Sequence, residues 1–131
     1  MKIDEKFLIE KALEARENAY APYSNFMVGA VLMCQDGSIY TGCNVENAAY
    51  PAGMCAERTA LNKAVSEGQK DFVAIAIVGG RGAERVFCAP CGICRQALSE
   101  FVQDDFLFIL ETENEIKQIT MVEMLPYRFS L

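Results

Sequence analysis

Three cysteines and one glutamate stand where they could do chemistry: Cys55-Ala56-Glu57, and further along Pro90-Cys91-Gly92-Ile93-Cys94. The chain of 131 residues has no histidine. Ser/His and Cys/His nucleophilic pairs are therefore excluded, and a general base must be Glu, Asp, Lys or Tyr. Three thiolates make an incomplete tetrahedral set for zinc, and an open fourth position separates catalytic from structural zinc. Glu57, two residues after the first cysteine, can stand beside a metal-bound water without ligating the metal. Alone it would read as an ordinary acidic residue in a helix's first turn. Its spacing from Cys55, with a second ligand pair in P-C-x-x-C form, favours proton transfer.

Three thiolates over-neutralise Zn²⁺, so something must withdraw charge from the cluster. Arg58 can donate hydrogen bonds to the sulfurs and so tune the metal; the competing reading is an ordinary surface ion pair. Cys88 extends the run to Cys88-x-x-Cys91-x-x-Cys94 and opens an alternative. With Cys55 it would close a four-cysteine structural site that leaves no room for water, in a scaffold rather than an enzyme. Cys34 and Cys43 read as small buried strand residues. Three disulfides are another use of six cysteines, but CxxC at a helix start suits a ligand or redox role better.

To bring these groups together the chain needs helices that begin at them. Apolar spacing predicts a helix over 4–20, with Asp4 as N-cap and Leu8, Ala12, Ala15 and Ala19 on one face, Ile9, Leu13 and Arg16 beside them. Ala21-Pro22 ends it. Residues 26–34 and 38–45 read as strands joined at Asp36-Gly37 into a hairpin. Residues 47–54 read as loop, 55–67 as a helix stopped by Gly68, 72–78 as a strand and 81–89 as loop. A third helix is expected over 91–101, then strands over 105–110 and 115–120. Thr120 and Glu123 form a capping box for a short last helix ended by Pro126. Both ligand segments thus start helices, where free N–H groups favour thiolate over thiol. The alternation predicts an α/β fold, a three-layer α/β/α sandwich with a mixed five-stranded sheet, the ligand helices meeting at one sheet edge.

The length fits a single domain over 1–131, one that buries roughly two thirds of its unfolded surface. Lys and Arg total 12 against 18 Asp and Glu, a net charge of −6. An acidic chain repels polyphosphate, so no nucleic-acid partner is expected and a small neutral substrate is. No apolar run reaches the ~18 residues that span a bilayer. The opening residues turn charged at once, without a signal-peptide core, and the chain reads as cytoplasmic, with no membrane partner.

Set among their neighbours, these residues resemble the cytidine deaminases, of the small type with three cysteine ligands. The resemblance rests on Tyr20-Ala21-Pro22-Tyr23-Ser24-Asn25-Phe26, Gly42-Cys43-Asn44-Val45-Glu46-Asn47-Ala48-Ala49-Tyr50, Cys55-Ala56-Glu57-Arg58-Thr59-Ala60, Pro90-Cys91-Gly92-Ile93-Cys94-Arg95-Gln96, and Leu125-Pro126 with Phe129. It implies a hydrolase with one Zn²⁺ per subunit that converts cytidine, and 2′-deoxycytidine, to the uracil nucleoside and ammonia in pyrimidine salvage. Glu57 would take the proton of a zinc-activated water, pass it to N3 and then protonate the departing amine.

By the same resemblance Asn44 and Glu46 would bind the ribose hydroxyls, being two apart on one strand and so facing one way. A carboxylate there suits a neutral hydroxyl and would repel a 5′-phosphate. Phe26 and Phe129 match aromatics that enclose base and sugar, and the backbone at Ala56 would contact the base. Ala48, Ala49, Tyr50 and Phe129 match positions on active-site walls shared between subunits of a homotetramer. A nearer alternative is a deaminase of a nucleoside antibiotic such as blasticidin S, although the segment from Asn44 to Tyr50 fits cytidine better. A polynucleotide deaminase is disfavoured by the acidic charge and the missing histidine ligand.

Overall fold

The structure, a computed structural model, describes residues 2–131. Asp4 caps helix α1 (Glu5–Arg16), its carboxylate accepting from Phe7 N at 3.1 Å. The helix stops short of the apolar pattern because Tyr20 is recruited elsewhere. Its N–H donates to Asn44 O at 2.9 Å, and its carbonyl accepts from Glu46 N at 2.8 Å.

Strands β1 (Val28–Cys34) and β2 (Ile39–Cys43) form the expected antiparallel hairpin, Gly37 taking a φ of 90° in its turn. Both are shorter than the sequence suggests at the ends facing Tyr20. Within 47–54 lies a short 3₁₀ turn, Tyr50–Ala52. Then come α2 (Ala56–Ser66), β3 (Phe72–Gly79), α3 (Gly92–Ser99), β4 (Leu107–Glu111), β5 (Ile116–Thr120) and α4 (Met121–Met124). The Thr120–Glu123 capping box opens α4 as expected.

The five strands lie in the order β2-β1-β3-β4-β5, antiparallel except for the β3/β4 pair, whose parallel register the α3 crossover permits. Strand alternation then sorts the core into two layers. Ala30, Leu32, Ile75, Ile77 and Phe108 face Ala60, Leu61 and Leu98 of α2 and α3, while Val31, Ala74, Ala76 and Ile109 face Leu8, Ile9 and Ala12 of α1. Met121 and Met124 of α4 join the α2 and α3 layer, so α1 covers one face and three helices the other, which is the α/β/α sandwich.

Two glycines set how closely the helices approach. A Cβ on Gly29 would meet Ala12 O at 2.0 Å, and one on Gly42 would meet Ala56 O at 2.5 Å and Ala60 N at 2.6 Å. Because the obstacles are backbone atoms, only glycine lets α1 and α2 lie so low on the sheet. Gly42 thereby brings the start of α2 down onto the end of β2. The ligand-bearing helix starts meet beyond the carboxyl ends of β2 and β3, at one end of the sheet instead of along its lateral edge.

Gly42→Ala should lift α2, costing about 1–3 kcal/mol as overpacking does and lowering bound zinc per chain. Thermal denaturation with metal analysis checks this; unchanged melting and metal content would refute the close-approach account.

Candidate active site

Cys55 is the N-cap of α2, Cys91 is the N-cap of α3, and Cys94 sits in the first turn of α3. N-cap side chains commonly bond to the first turn's free N–H groups, yet neither cysteine does so here. Both sulfurs are left free at the positive ends of their helices. The Sγ atoms of Cys55, Cys91 and Cys94 all lie within 4.8 Å of one another, and Cys55 and Cys91 are 3.9 Å apart. Tetrahedral ligands at about 2.3 Å from zinc stand about 3.8 Å from each other, so spacing and soft donors both fit that ion. All six cysteines are free, so no disulfide competes for them.

Charge in the cluster is shared unevenly. Cys55 is held well below the ordinary thiol range, first by a hydrogen bond from Cys94 and also by Arg58 and Cys91, while Cys94 is raised in turn, chiefly by that same bond. Cation uptake must therefore expel a proton. Arg58 Nη2 lies 3.7 Å from Cys55 Sγ, and its Nε is buried without a partner among the described residues. Among the described residues its side-chain partner is the Cys55 sulfur, and no carboxylate forms an ion pair with it.

Glu57 occupies the first turn of α2 at 4% exposure, and it is the only buried carboxylate among the described residues. Burial pushes it up to about 7, and the neighbouring Cys55 charge adds to the shift. Ala56 beside it is fully buried, its carbonyl over Gly42.

Cys88 falls outside the three-sulfur group. It packs with Phe26 against the end of β3, where a Cβ on Gly79 would meet the Phe26 ring at 2.7 Å and the Cys88 Cβ at 3.0 Å. Burial first, then the charge of Glu57, pushes its thiol up to about 12, so it stays protonated. The closed four-sulfur arrangement is not formed. Cys34 is buried on β1, and Cys43 is half-buried at the end of β2.

Asn44 and Glu46 lie beyond the end of β2, so strand alternation does not explain their direction. Both instead face the segment that follows α1. Asn44 accepts from Val28 N at 2.9 Å and donates to Phe26 O at 2.8 Å; Glu46 accepts from Tyr23 N at 3.0 Å, from Ser24 N at 3.1 Å and from the Ser24 hydroxyl. Phe26 is half-buried and packs on the core below α2, whereas Tyr50 and Phe129 are 91% and 66% exposed. The Phe129 carbonyl accepts from Gln96 Nε2 of α3 at 3.4 Å. The fold thus gathers the cysteines, Ala56, Glu57 and Arg58, and separately ties Asn44, Glu46 and Phe26 together. It leaves Tyr50 and Phe129 on the surface.

Two arginines support this centre without having stood out in the sequence. Arg95 donates to Pro90 O and to Met124 O, both at 2.8 Å, fixing the chain at Cys91. Arg16 is 2% exposed and donates to the carbonyls of Gly79, Gly82 and Glu84, holding the loop between β3 and Cys88. Position in the Pro90–Gln96 motif could have flagged Arg95. Nothing in its surroundings marks Arg16, which sits on the apolar helix face as though it were an edge residue.

Cys88→Ser should retain one zinc per chain while Cys91→Ser loses it; metal analysis decides, and loss from Cys88→Ser would restore the four-sulfur site. In metal-free protein Glu57 binds its proton more tightly folded than unfolded. Its contribution is full below about pH 4.5 and is lost as pH rises through about 7. Chelated Glu57→Gln should therefore gain stability over the parent by up to about 3 kcal/mol across that window. A pH-independent difference in denaturant titrations would contradict the burial.

The sequence model of a family described as the cytidine and deoxycytidylate deaminase zinc-binding region matches residues 1–110. A cytidine deaminase of Halalkalibacterium halodurans is 46% identical over 129 residues, covering 98% of this chain and 96% of that protein. The crystal structure of cytidine deaminase from Burkholderia pseudomallei superposes with a TM-score of 0.88 at 43% identity, covering 97% of this chain and 100% of that one. A blasticidin-S deaminase of Bacillus cereus is 30% identical over 128 residues, covering 94% and 90%.

Proposed function

The chain belongs to the cytidine and deoxycytidylate deaminase family, and from that premise we propose that it hydrolyses cytidine, and 2′-deoxycytidine, to the uracil nucleoside and ammonia. The observation that carries the mechanism is one buried carboxylate, Glu57, set against three clustered sulfurs. Cys55, Cys91 and Cys94 would hold zinc, with Arg58 drawing charge from Cys55. Bound there, zinc supplies Lewis-acid chemistry that makes water acidic near neutral pH.

Glu57 accepts one proton from the attacking water as the water oxygen bonds to C4 of the base, and delivers it to N3. It then takes the second proton from the hydroxyl now on C4 and gives it to the amine, whose bond to C4 breaks as the carbonyl forms. Burial supports this double role. A cation in the sulfur cluster favours the ionised carboxylate that acts as base, while the dry surroundings keep its proton affinity high enough to act as acid. Asn44 and Glu46 receive the sugar hydroxyls, and Phe26 and the Ala56 backbone flank the base. The Ser24 hydroxyl and the Tyr23 and Ser24 N–H groups hold the Glu46 carboxyl below its ordinary value. Glu46 is therefore anionic and repels a 5′-phosphate.

Exposure of Tyr50 and Phe129, together with that of Tyr20, Tyr23 and Ile93, supports a homotetramer whose neighbouring subunits complete each site. We place this single domain in cytoplasmic pyrimidine salvage, a role consistent with a small neutral substrate. The net charge of −6 argues against a nucleic-acid substrate. Similarity to a blasticidin-S deaminase keeps that antibiotic as the second reading.

Purified protein should turn over cytidine and deoxycytidine, act poorly on cytidine monophosphate and blasticidin S, and lose activity with a chelator. Preference for the monophosphate or the antibiotic would overturn the assignment. Glu57→Gln should keep its zinc and lose about 10²–10⁴-fold in turnover; retained turnover would remove Glu57 as proton carrier.

A further inference from the structure

Ser24 is exposed, yet its hydroxyl is engaged on both sides. It accepts from Phe26 N at 3.0 Å and donates to the Glu46 carboxylate. A hydroxyl that accepts a backbone N–H has its own proton directed elsewhere, here onto Glu46 Oε2. The turn that permits this includes Asn25 at a φ of 59°, a left-handed conformation that asparagine tolerates better than most residues. Meanwhile Glu46 Oε1 accepts two N–H groups, from Tyr23 and Ser24. A carboxylate offers about four acceptor sites in all. Three are thus taken by the turn, and one site on Oε2 remains.

We infer that Ser24 is a positioning residue for sugar recognition: by donating to Glu46 it fixes the carboxylate so that one acceptor site stays aimed at a single substrate hydroxyl. This rests on the reading of Glu46 as a sugar contact. Asn44 complements it from the other side, since its amide bonds to Phe26 O and Val28 N leave one N–H and one acceptor site for a second hydroxyl. Ser24 itself has no proton left to offer a ligand, so it acts only through Glu46. Without it, Glu46 keeps its two N–H partners but swings about them, and the acceptor site loses its direction.

The test compares Ser24→Ala, Ser24→Thr and Glu46→Gln on cytidine and on its analogue lacking the 2′ and 3′ hydroxyls, with zinc content measured for each. Ser24→Ala should lower kcat/KM for cytidine about 10-fold, near the lower end for loss of a hydrogen bond to a charged group. The loss should fall mainly in KM, with zinc retained and the dideoxy analogue changed less than about two-fold. Ser24→Thr should recover most of the loss. An equal loss on both substrates, or a loss carried by kcat or zinc, would make Ser24 a structural residue and overturn the inference, as would unchanged cytidine kinetics. Glu46→Gln isolates the underlying reading: if it also penalises both substrates equally, Glu46 is not a sugar contact, whatever Ser24 does.

Discussion

Two helices are each capped at their start by a cysteine, and the two sulfurs lie 3.9 Å apart. The rest of the site follows from that convergence. Helix starts concentrate unsatisfied N–H groups and partial positive charge, the environment in which thiolates are least costly to hold together. With Cys55 and Cys91 as N-caps and Cys94 in the first turn of α3, three sulfurs face one small volume. A trithiolate zinc centre is still negative, and Arg58 beside Cys55 supplies the remaining positive charge. Because Glu57 follows Cys55 on the same helix, the geometry that places a ligand also places a buried acid next to it.

Neither helix start would reach this point without close backbone contacts. Gly42 removes the side chain that would hold α2 off β2, and Arg95 of α3 donates to the carbonyls of Pro90, just before that helix, and of Met124 in α4. On the opposite side, Asn44 and Glu46 bind the segment from Tyr23 to Val28 almost entirely through its backbone. Groups assigned to the sugar therefore also shape the wall that carries Phe26. On that proposed assignment, substrate recognition and local folding would use the same polar atoms, and the local bonds leave few acceptors free.

The metal cluster was legible because chemistry confines it to residue type and spacing: C-x-E, P-C-x-x-C, and helix patterns starting at each. The capping box at Thr120 and Glu123 and the hairpin at Asp36-Gly37 were legible for the same reason, being local. What escaped was set by distant partners. The first helix pattern runs on to Ala19, but Tyr20 pairs with Asn44 and Glu46, and that tertiary ladder ends the helix at Arg16. The same pairing draws Asn44 and Glu46 off the second strand, so their shared direction has a different cause from the expected alternation. Cys88 kept ligand spacing and could not be dismissed from sequence. Only packing against Phe26 and Gly79 takes it away from the cluster.

The proposed chemistry depends on an open fourth position at a three-sulfur centre. Zinc K-edge absorption of the metal-loaded protein measures this directly. The account predicts three sulfur neighbours at about 2.3 Å and one lighter neighbour at about 2.0 Å. Four sulfurs around the ion would contradict it.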